Sequence, residues 1–241
     1  MVGTAIQLYT LREMDATLPE LIARVGETAF DGVEFAGLGD ADPDEVADAL
    51  DAAGLDAAGA HVGLDDLEAD PAGVAETYRR LGCETLVVPY LDETHFDSEA
   101  AAVETAERLA ALAADLDGEG ARLAYHNHDH EFVDVGDRAG FDAFLDAADV
   151  NVELDVGWVV AAGRDPTALL DRLAGRAPLV HVKDVRDGRP VELGEGELPV
   201  EECVRAARDA GTEWLVYEHD DPEDPERSLE RGAELLAGFG D

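Results

Sequence analysis

Short apolar runs and longer amphipathic segments alternate along this chain eight times, with no linker between repeats. The apolar runs fall at 3–9 (GTAIQLY), 32–37 (GVEFAG), 57–62 (AAGAHV), 85–90 (TLVVPY), 122–128 (RLAYHNH), 150–156 (VNVELDV), 178–184 (PLVHVKD) and 214–219 (WLVYEH). Their length and β-branched content predict strands. The segments at 17–29, 43–53, 65–81, 98–116, 139–148, 166–175, 199–210 and 226–237 carry apolar residues at helical spacing. Asp42–Pro43, Asp165–Pro166 and Asp224–Pro225 open three of them with a capping carboxylate and a first-turn proline. Gly54 and Gly211 follow the segments at 43–53 and 199–210, where a left-handed cap ends a helix. Eight strand–helix repeats predict one α/β domain over 1–241, a closed (β/α)8 barrel. An open doubly wound sheet fits less well, because the first strand runs into TLRE instead of a glycine-rich phosphate loop.

Composition narrows the function. The chain has 57 acidic and 17 basic residues, a formal net charge of −40, and the acids are spread over predicted helix faces. Such a surface repels nucleic-acid phosphates, so a DNA or RNA partner is not expected. The composition resembles that of proteins from salt-loving microbes, of haloarchaeal type. No run approaches a membrane span, and the N-terminus lacks a basic start with a long apolar segment, so a cytoplasmic enzyme without membrane attachment is expected. Cys83 and Cys203 sit far apart and read as small buried residues. Every basic residue but Lys183 is arginine. A lone lysine marks a place where a compact, movable charge is needed.

The chemistry gathers at strand ends. The seven histidines all lie outside the predicted helices: His61, His95, His126, His128, His130, His181 and His219. A barrel does its chemistry at the C-terminal ends of its strands. Glu34, Glu153, Asp155 and Glu218 interrupt strand interiors, where carboxylates are costly unless paired or metal-bound. Alternation puts Glu153 and Asp155 on one face of their strand, and His181 and Lys183 on one face of theirs. Glu131, Asp155, His181 and Glu218 form a set that can converge on one divalent cation. Three carboxylates and one imidazole favour Mn²⁺ or Mg²⁺, with Zn²⁺ or Co²⁺ as substitutes. Buried salt bridges to arginine or Lys183 are the competing account of the same residues.

The stretches AIQLYTLRE, FDGVEFAG, AGAHVGL, AYHNHDHEF, VELDVGWVVAAGRDP, LVHVKDV, LGEGELPV and VYEHDD, in this order, resemble the sugar isomerase/epimerase superfamily of xylose isomerase-like TIM barrels. The HNHxxEF segment resembles the sugar phosphate isomerase/epimerase branch. The resemblance implies a divalent metal held by Glu131, Asp155, His181 and Glu218. In related epimerases the first glutamate ends strand five, where this chain has His126, so His126 or His128 is the alternative first ligand. The implied reaction moves a proton next to a sugar carbonyl through an enediolate. Glu131 and Glu218 are the implied acid–base pair, and Lys183 polarises a substrate oxygen or delivers a proton, its pKa lowered by the neighbouring cation. His61, His126, His128, Glu153 and Trp158 are candidate substrate contacts, Trp158 by stacking on a sugar face. Glu34 is either a supporting or a structural carboxylate. Arg12, Arg186 and Arg189 are placed to receive an anion, and the glycines of ELGEGEL to let backbone approach a ligand. The partner is a small sugar or sugar derivative, and a homodimer or homotetramer is compatible with such barrels. A metal-dependent dehydratase of the inosose dehydratase type is the alternative reaction. An apurinic-type DNA-repair endonuclease is disfavoured by charge, and a non-catalytic sugar-binding module by the complete ligand set.

Overall fold

Strands buried on both faces need apolar side chains in both directions, and the runs around Val33, Val87, Val152 and Val180 supply them. The structure, a computed structural model, describes residues 2–239; residues 1, 240 and 241 of the expected 1–241 domain lie outside the described residues. Eight parallel strands close into a barrel: β1 (Gly3–Gln7), β2 (Gly32–Phe35), β3 (Asp56–His61), β4 (Thr85–Val88), β5 (Arg122–His126), β6 (Asn151–Asp155), β7 (Leu179–Val182) and, after a hairpin, β10 (Trp214–Tyr217). β1 closes the ring by pairing with both β2 and β10. Around it run α1 (Leu18–Val25), α2 (Pro43–Ala53), α3 (Leu64–Ala69), α4 (Pro71–Arg79), α5 (Glu99–Gly118), α6 (Gly140–Ala147), α7 (Val156–Ala161), α8 (Pro166–Arg172), α9 (Val200–Asp209) and α10 (Pro225–Ala237). Asp42, Asp165 and Asp224 cap α2, α8 and α10 through their side chains, as the Asp-Pro pairs predict. No helix among the described residues is long and apolar enough to cross a membrane.

Three departures from the predicted elements have local causes. The helix expected over 65–81 breaks into α3 and α4 at Asp70, because Pro71 cannot continue α3 while Asp70 caps the new helix. The seventh run ends at Val182, and Asp184–Arg186 (β8) turns into a hairpin with Arg189–Val191 (β9). α7 starts directly at the end of β6, since Asp155 serves both as last strand residue and as N-cap.

The barrel interior changes character along its axis. Its N-terminal end is filled by Ala5, Ala58, Leu179 and Val216, with Trp214 packed against them. Trp214 needs Gly3, where a Cβ would stand 2.5 Å from its ring. Gly59 makes room for Glu34 in the same way, its Cβ position being 2.9 Å from Glu34 Oε1. Beyond this apolar plug the inward side chains are polar.

Candidate active site

Register places the polar side chains as neighbours. His126 pairs with Glu153, Asp155 with His181, and Gln7 with Glu34 across adjacent strands. Alternation turns Val180 and Val182 outward and His181 inward; Lys183 is 1% exposed. Asp155 divides its two oxygens. Oδ1 accepts the Trp158 N–H at 2.9 Å and caps α7, while Oδ2 is left to the barrel interior. Asn127 fixes the backbone there, its Oδ1 accepting the Asp155 N–H at 3.0 Å.

Two histidines connect two carboxylate pairs. His126 Nδ1 lies 2.9 Å from Glu153 Oε2, and its Nε2 faces Asp155 Oδ2 at 3.8 Å. His181 Nε2 lies 2.6 Å from Glu34 Oε2, and its Nδ1 lies 2.9 Å from Glu218 Oε2. Each ring therefore gives one nitrogen to Glu34 and Glu153 and the other to Asp155 and Glu218. A carboxylate that accepts one ring N–H fixes the tautomer and aims the opposite lone pair at a metal. His126, Asp155, His181 and Glu218 offer ligand atoms within 4.8 Å of one another. His61, His126, Glu153 and His181 meet the same limit, but there Glu153 Oε2 is already taken by His61 Nε2 at 2.7 Å and by His126. Glu218 also lines the cavity over the cluster while Glu153 does not, which makes the side of Asp155 and Glu218 the candidate ligand side. Asp155 Oδ2 is buried there beside Lys183 Nζ at 2.9 Å, and two imidazoles with two carboxylates suit a divalent cation once His181, held protonated against burial by Glu153, Glu34 and Glu218, gives up its proton.

Charge follows from burial and neighbours. Burial pushes His126 down to about 4, so its ring is neutral at pH 7. Burial, then the Glu153 carboxylate, raises Glu34 to about 8. Burial opposes ionisation of Glu153 as well, but the His181 and His61 rings hold it well below the usual range. One proton therefore stays on Glu34. Burial raises Asp155 to about 6, against the pull of Lys183. Glu218 resists the same effect because Lys183 and His181 hold it low.

Lys183 Nζ lies 2.9 Å from Asp155 Oδ2, 2.8 Å from Glu218 Oε2 and 2.8 Å from Asp220 Oδ2. These are close buried ion pairs. The buried salt bridges weighed against a metal thus exist on the metal-facing oxygens themselves. Burial works against the ammonium, but the three carboxylates hold its pKa well above normal.

Two expected site residues are placed elsewhere. Glu131 belongs to neither ligand group. It is fully buried, Oε1 accepting from Tyr125 Oη–H and Oε2 from the His128 N–H, both at 2.6 Å. Tyr125 alternates with the inward His126, so it points to the helices and stacks on Phe96. Glu131 follows it to that side and ties down its own loop. His126, and not Glu131, lies among the grouped candidate ligand atoms. Trp158 is not an open stacking surface: His128 stacks on it at 5.8 Å, and Lys183 Nζ lies 4.8 Å from its ring centroid.

A cavity of about 630 Å³ opens over the cluster. His61, His126, His128, Glu218, Asp220 and Tyr90 form part of its wall. Glu153 lies beneath His61 and His126, hydrogen-bonded to both and fully buried. Asp220 and Tyr90 were not legible as site residues: Asp220 lies past the strand, and Tyr90 reads as strand-end packing.

The profile of xylose isomerase-like TIM barrels matches residues 20–238. The chain belongs to the xylose isomerase-like TIM barrel family. Among curated proteins none matches the sequence. A sugar phosphate isomerase/epimerase from Parabacteroides distasonis ATCC 8503 superposes with a TM-score of 0.83 at 20% identity, covering 100% of this chain and 95% of that one. The probable 3-DHS dehydratase AsbF of Bacillus anthracis gives 0.77 at 13% identity, covering 98% and 99%. An L-ribulose 3-epimerase gives 0.76 at 17% identity, covering 100% and 94%. At these identities the likeness is one of fold.

In this xylose isomerase-like barrel the ELGEGEL glycines approach a protein carboxylate. Asp184, the first residue of β8, accepts the N–H groups of Gly194 at 2.9 Å, Gly196 at 2.8 Å and Leu198 at 3.0 Å. A Cβ on Gly196 would stand 2.1 Å from Asp184 Oδ1. The loop's glycines serve this wrap, which corrects the expected ligand approach. Arg186 and Arg189 lie exposed on the β8–β9 hairpin, away from the cavity wall.

Proposed function

We propose that this chain is a divalent-metal-dependent sugar isomerase or epimerase, transferring a proton at a carbon next to a carbonyl. The observation that carries the reading is the convergence of His126, Asp155, His181 and Glu218, whose ligand atoms lie within 4.8 Å of one another. Neighbouring folds include a sugar phosphate isomerase/epimerase and an L-ribulose 3-epimerase, which supports the choice of reaction.

His126, Asp155, His181 and Glu218 would hold the cation. With His126 in place of a glutamate, two imidazoles join two carboxylates, which moves the preference from Mg²⁺ toward Mn²⁺, Zn²⁺ or Co²⁺. When bound, it supplies Lewis-acid stabilisation of negative charge on the substrate carbonyl oxygen. Glu218, ionised and at the cavity wall, takes the proton. Lys183 keeps Glu218 ionised from beneath the cavity wall. His128 Nδ1 is buried without a partner and its ring lines the cavity, which suits a substrate hydroxyl. His61 lines the same wall and is held by Glu153.

The test is solvent exchange. Mn²⁺-loaded protein is incubated in D₂O with a panel of aldoses, ketoses and their phosphates, and deuterium next to the carbonyl is read by NMR. Exchange that is lost in Glu218→Gln is expected. Loss of water from the product, read by mass, would assign the dehydratase chemistry of the AsbF-like neighbour instead. Metal binding with no exchange on any sugar would overturn the proposal.

A further inference from the structure

The cavity wall is selective in what it lacks and in what it displays. Among the described residues no arginine or lysine lines it, while Asp66, Glu218 and Asp220 do. Lys183 is buried behind three carboxylates. α3 starts at the rim, but Asp65 and Asp66 occupy its first turn, where they oppose an incoming anion. Arg12 stacks on Tyr9, its guanidinium carbon 4.0 Å from the ring centroid, and donates to the Tyr9 carbonyl at 3.0 Å. A phosphate dianion entering this space meets Asp66 and finds the nearby ammonium of Lys183 already shared among Asp155, Glu218 and Asp220, on a protein whose net charge is −40.

The same wall displays aromatic surface. Only three large apolar side chains are exposed among the described residues: Tyr9 at 43%, Tyr90 at 51% and Val133. Both tyrosines line this cavity. Tyr90 is supported from beneath by His128, edge-on at 5.2 Å between ring centres, and by His130 at 5.4 Å. Tyrosine faces suit flat, partly apolar groups at a wet boundary. A volume of about 630 Å³ is in the range of drug-sized ligands and exceeds what one six-carbon ring fills.

We infer that the site takes an uncharged sugar that carries a second ring and keeps a carbonyl of its own, such as a keto-sugar glycoside, in place of a sugar phosphate, with Tyr9 and Tyr90 receiving that second ring. This rests on the sugar reading above and names the substrate class.

The experiment is saturation-transfer NMR on the intact protein with Mg²⁺, using glucose, glucose 6-phosphate and phenyl β-glucoside as probes, with metal affinity measured separately by calorimetry. Phenyl β-glucoside is expected to bind best, with saturation strongest on its phenyl ring, and glucose 6-phosphate worst. Tyr9→Ala and Tyr90→Ala are each expected to weaken phenyl β-glucoside by roughly three- to tenfold, and glucose by less. Both residues are exposed, so the variants should keep the far-UV spectrum. Preferred binding of glucose 6-phosphate, binding of none of the probes, or equal losses for glucose and phenyl β-glucoside would overturn the inference. Absence of metal binding in calorimetry, with the sugar preference intact, would remove the catalytic reading and leave this one standing.

Discussion

Lys183 Nζ and His181 Nδ1 share one oxygen: Glu218 Oε2 lies 2.8 Å from the first and 2.9 Å from the second. The ammonium therefore occupies the carboxylates a divalent cation would use. Removing it by Lys183→Met leaves buried charges on Asp155 and Glu218 uncompensated, at a cost of about 3–5 kcal/mol. At about 2–4 °C per kcal/mol for a chain of this size, Tm falls by roughly 6–20 °C. Added Mn²⁺ should restore more stability to the variant than it adds to the native protein, because metal and ammonium compete for the same oxygens. Thermal melts with and without Mn²⁺ decide it. Equal Mn²⁺ responses in the two proteins would mean that these oxygens are not the metal's seat.

His126, the alternative first ligand of the sequence reading, lies in the candidate ligand group and Glu131 lies outside it. His126→Ala removes a ligand and should lower Mn²⁺ affinity by at least ~100-fold. A change in a residue that only supports ligands costs roughly 10–100-fold. Glu131→Gln should leave metal stoichiometry unchanged, since Glu131 touches Tyr125 and the His128 backbone, not the ligand atoms. Equilibrium dialysis of both variants against Mn²⁺ checks the pair. Metal loss in Glu131→Gln with retention in His126→Ala would restore Glu131 as the ligand.

Glu131 also leaves a signature in pH. Burial raises it to about 7, against the lowering effect of His130 and its hydrogen bonds. An unfolded glutamate titrates near 4.3. Between these values the folded state holds a proton that the unfolded state has lost, so this group's stabilisation is present at low pH and fades as pH rises toward 7. Glu131→Gln abolishes that titration. Its ΔG of unfolding should decline less than the native protein's between pH 4.5 and 7, as measured by urea melts across the interval.

The barrel was legible because its signal is redundant: eight repeats, each with an apolar run and a capped helix, leave little room for another fold. The inward polar side chains Glu153, Asp155 and His181 were legible because they sit on strands, where alternation decides direction. Glu131 was not legible because it sits five residues past His126 in a 3₁₀ turn, where no period fixes the side chain. Trp158 lies one turn into α7, and the start of that helix at Asp155 was hidden inside an apparent strand. Asp184 shows a third kind of limit: its ligands are backbone N–H groups 10–14 residues away, which no side-chain pattern records.

Salt should stabilise this protein, although two effects oppose each other. Raising ionic strength weakens surface ion pairs such as Arg172 with Asp142 and Arg138 with Glu99. It also screens repulsion among carboxylates that exceed the basic residues by 57 − 17 = 40. Exposed pairs contribute about 0–1 kcal/mol each, and each arginine that forms one still leaves more than two carboxylates without a cation. Repulsion is therefore the larger quantity. The Debye length shrinks from about 10 Å at 0.1 M to about 3 Å at 1 M, so most of the relief comes in that range. Relief of even about 2 kcal/mol raises Tm by roughly 4–8 °C. Calorimetry at 0.1 and 2 M KCl should show the rise. A fall in Tm would mean that the arginine pairs, and not the excess of carboxylates, set the surface energetics.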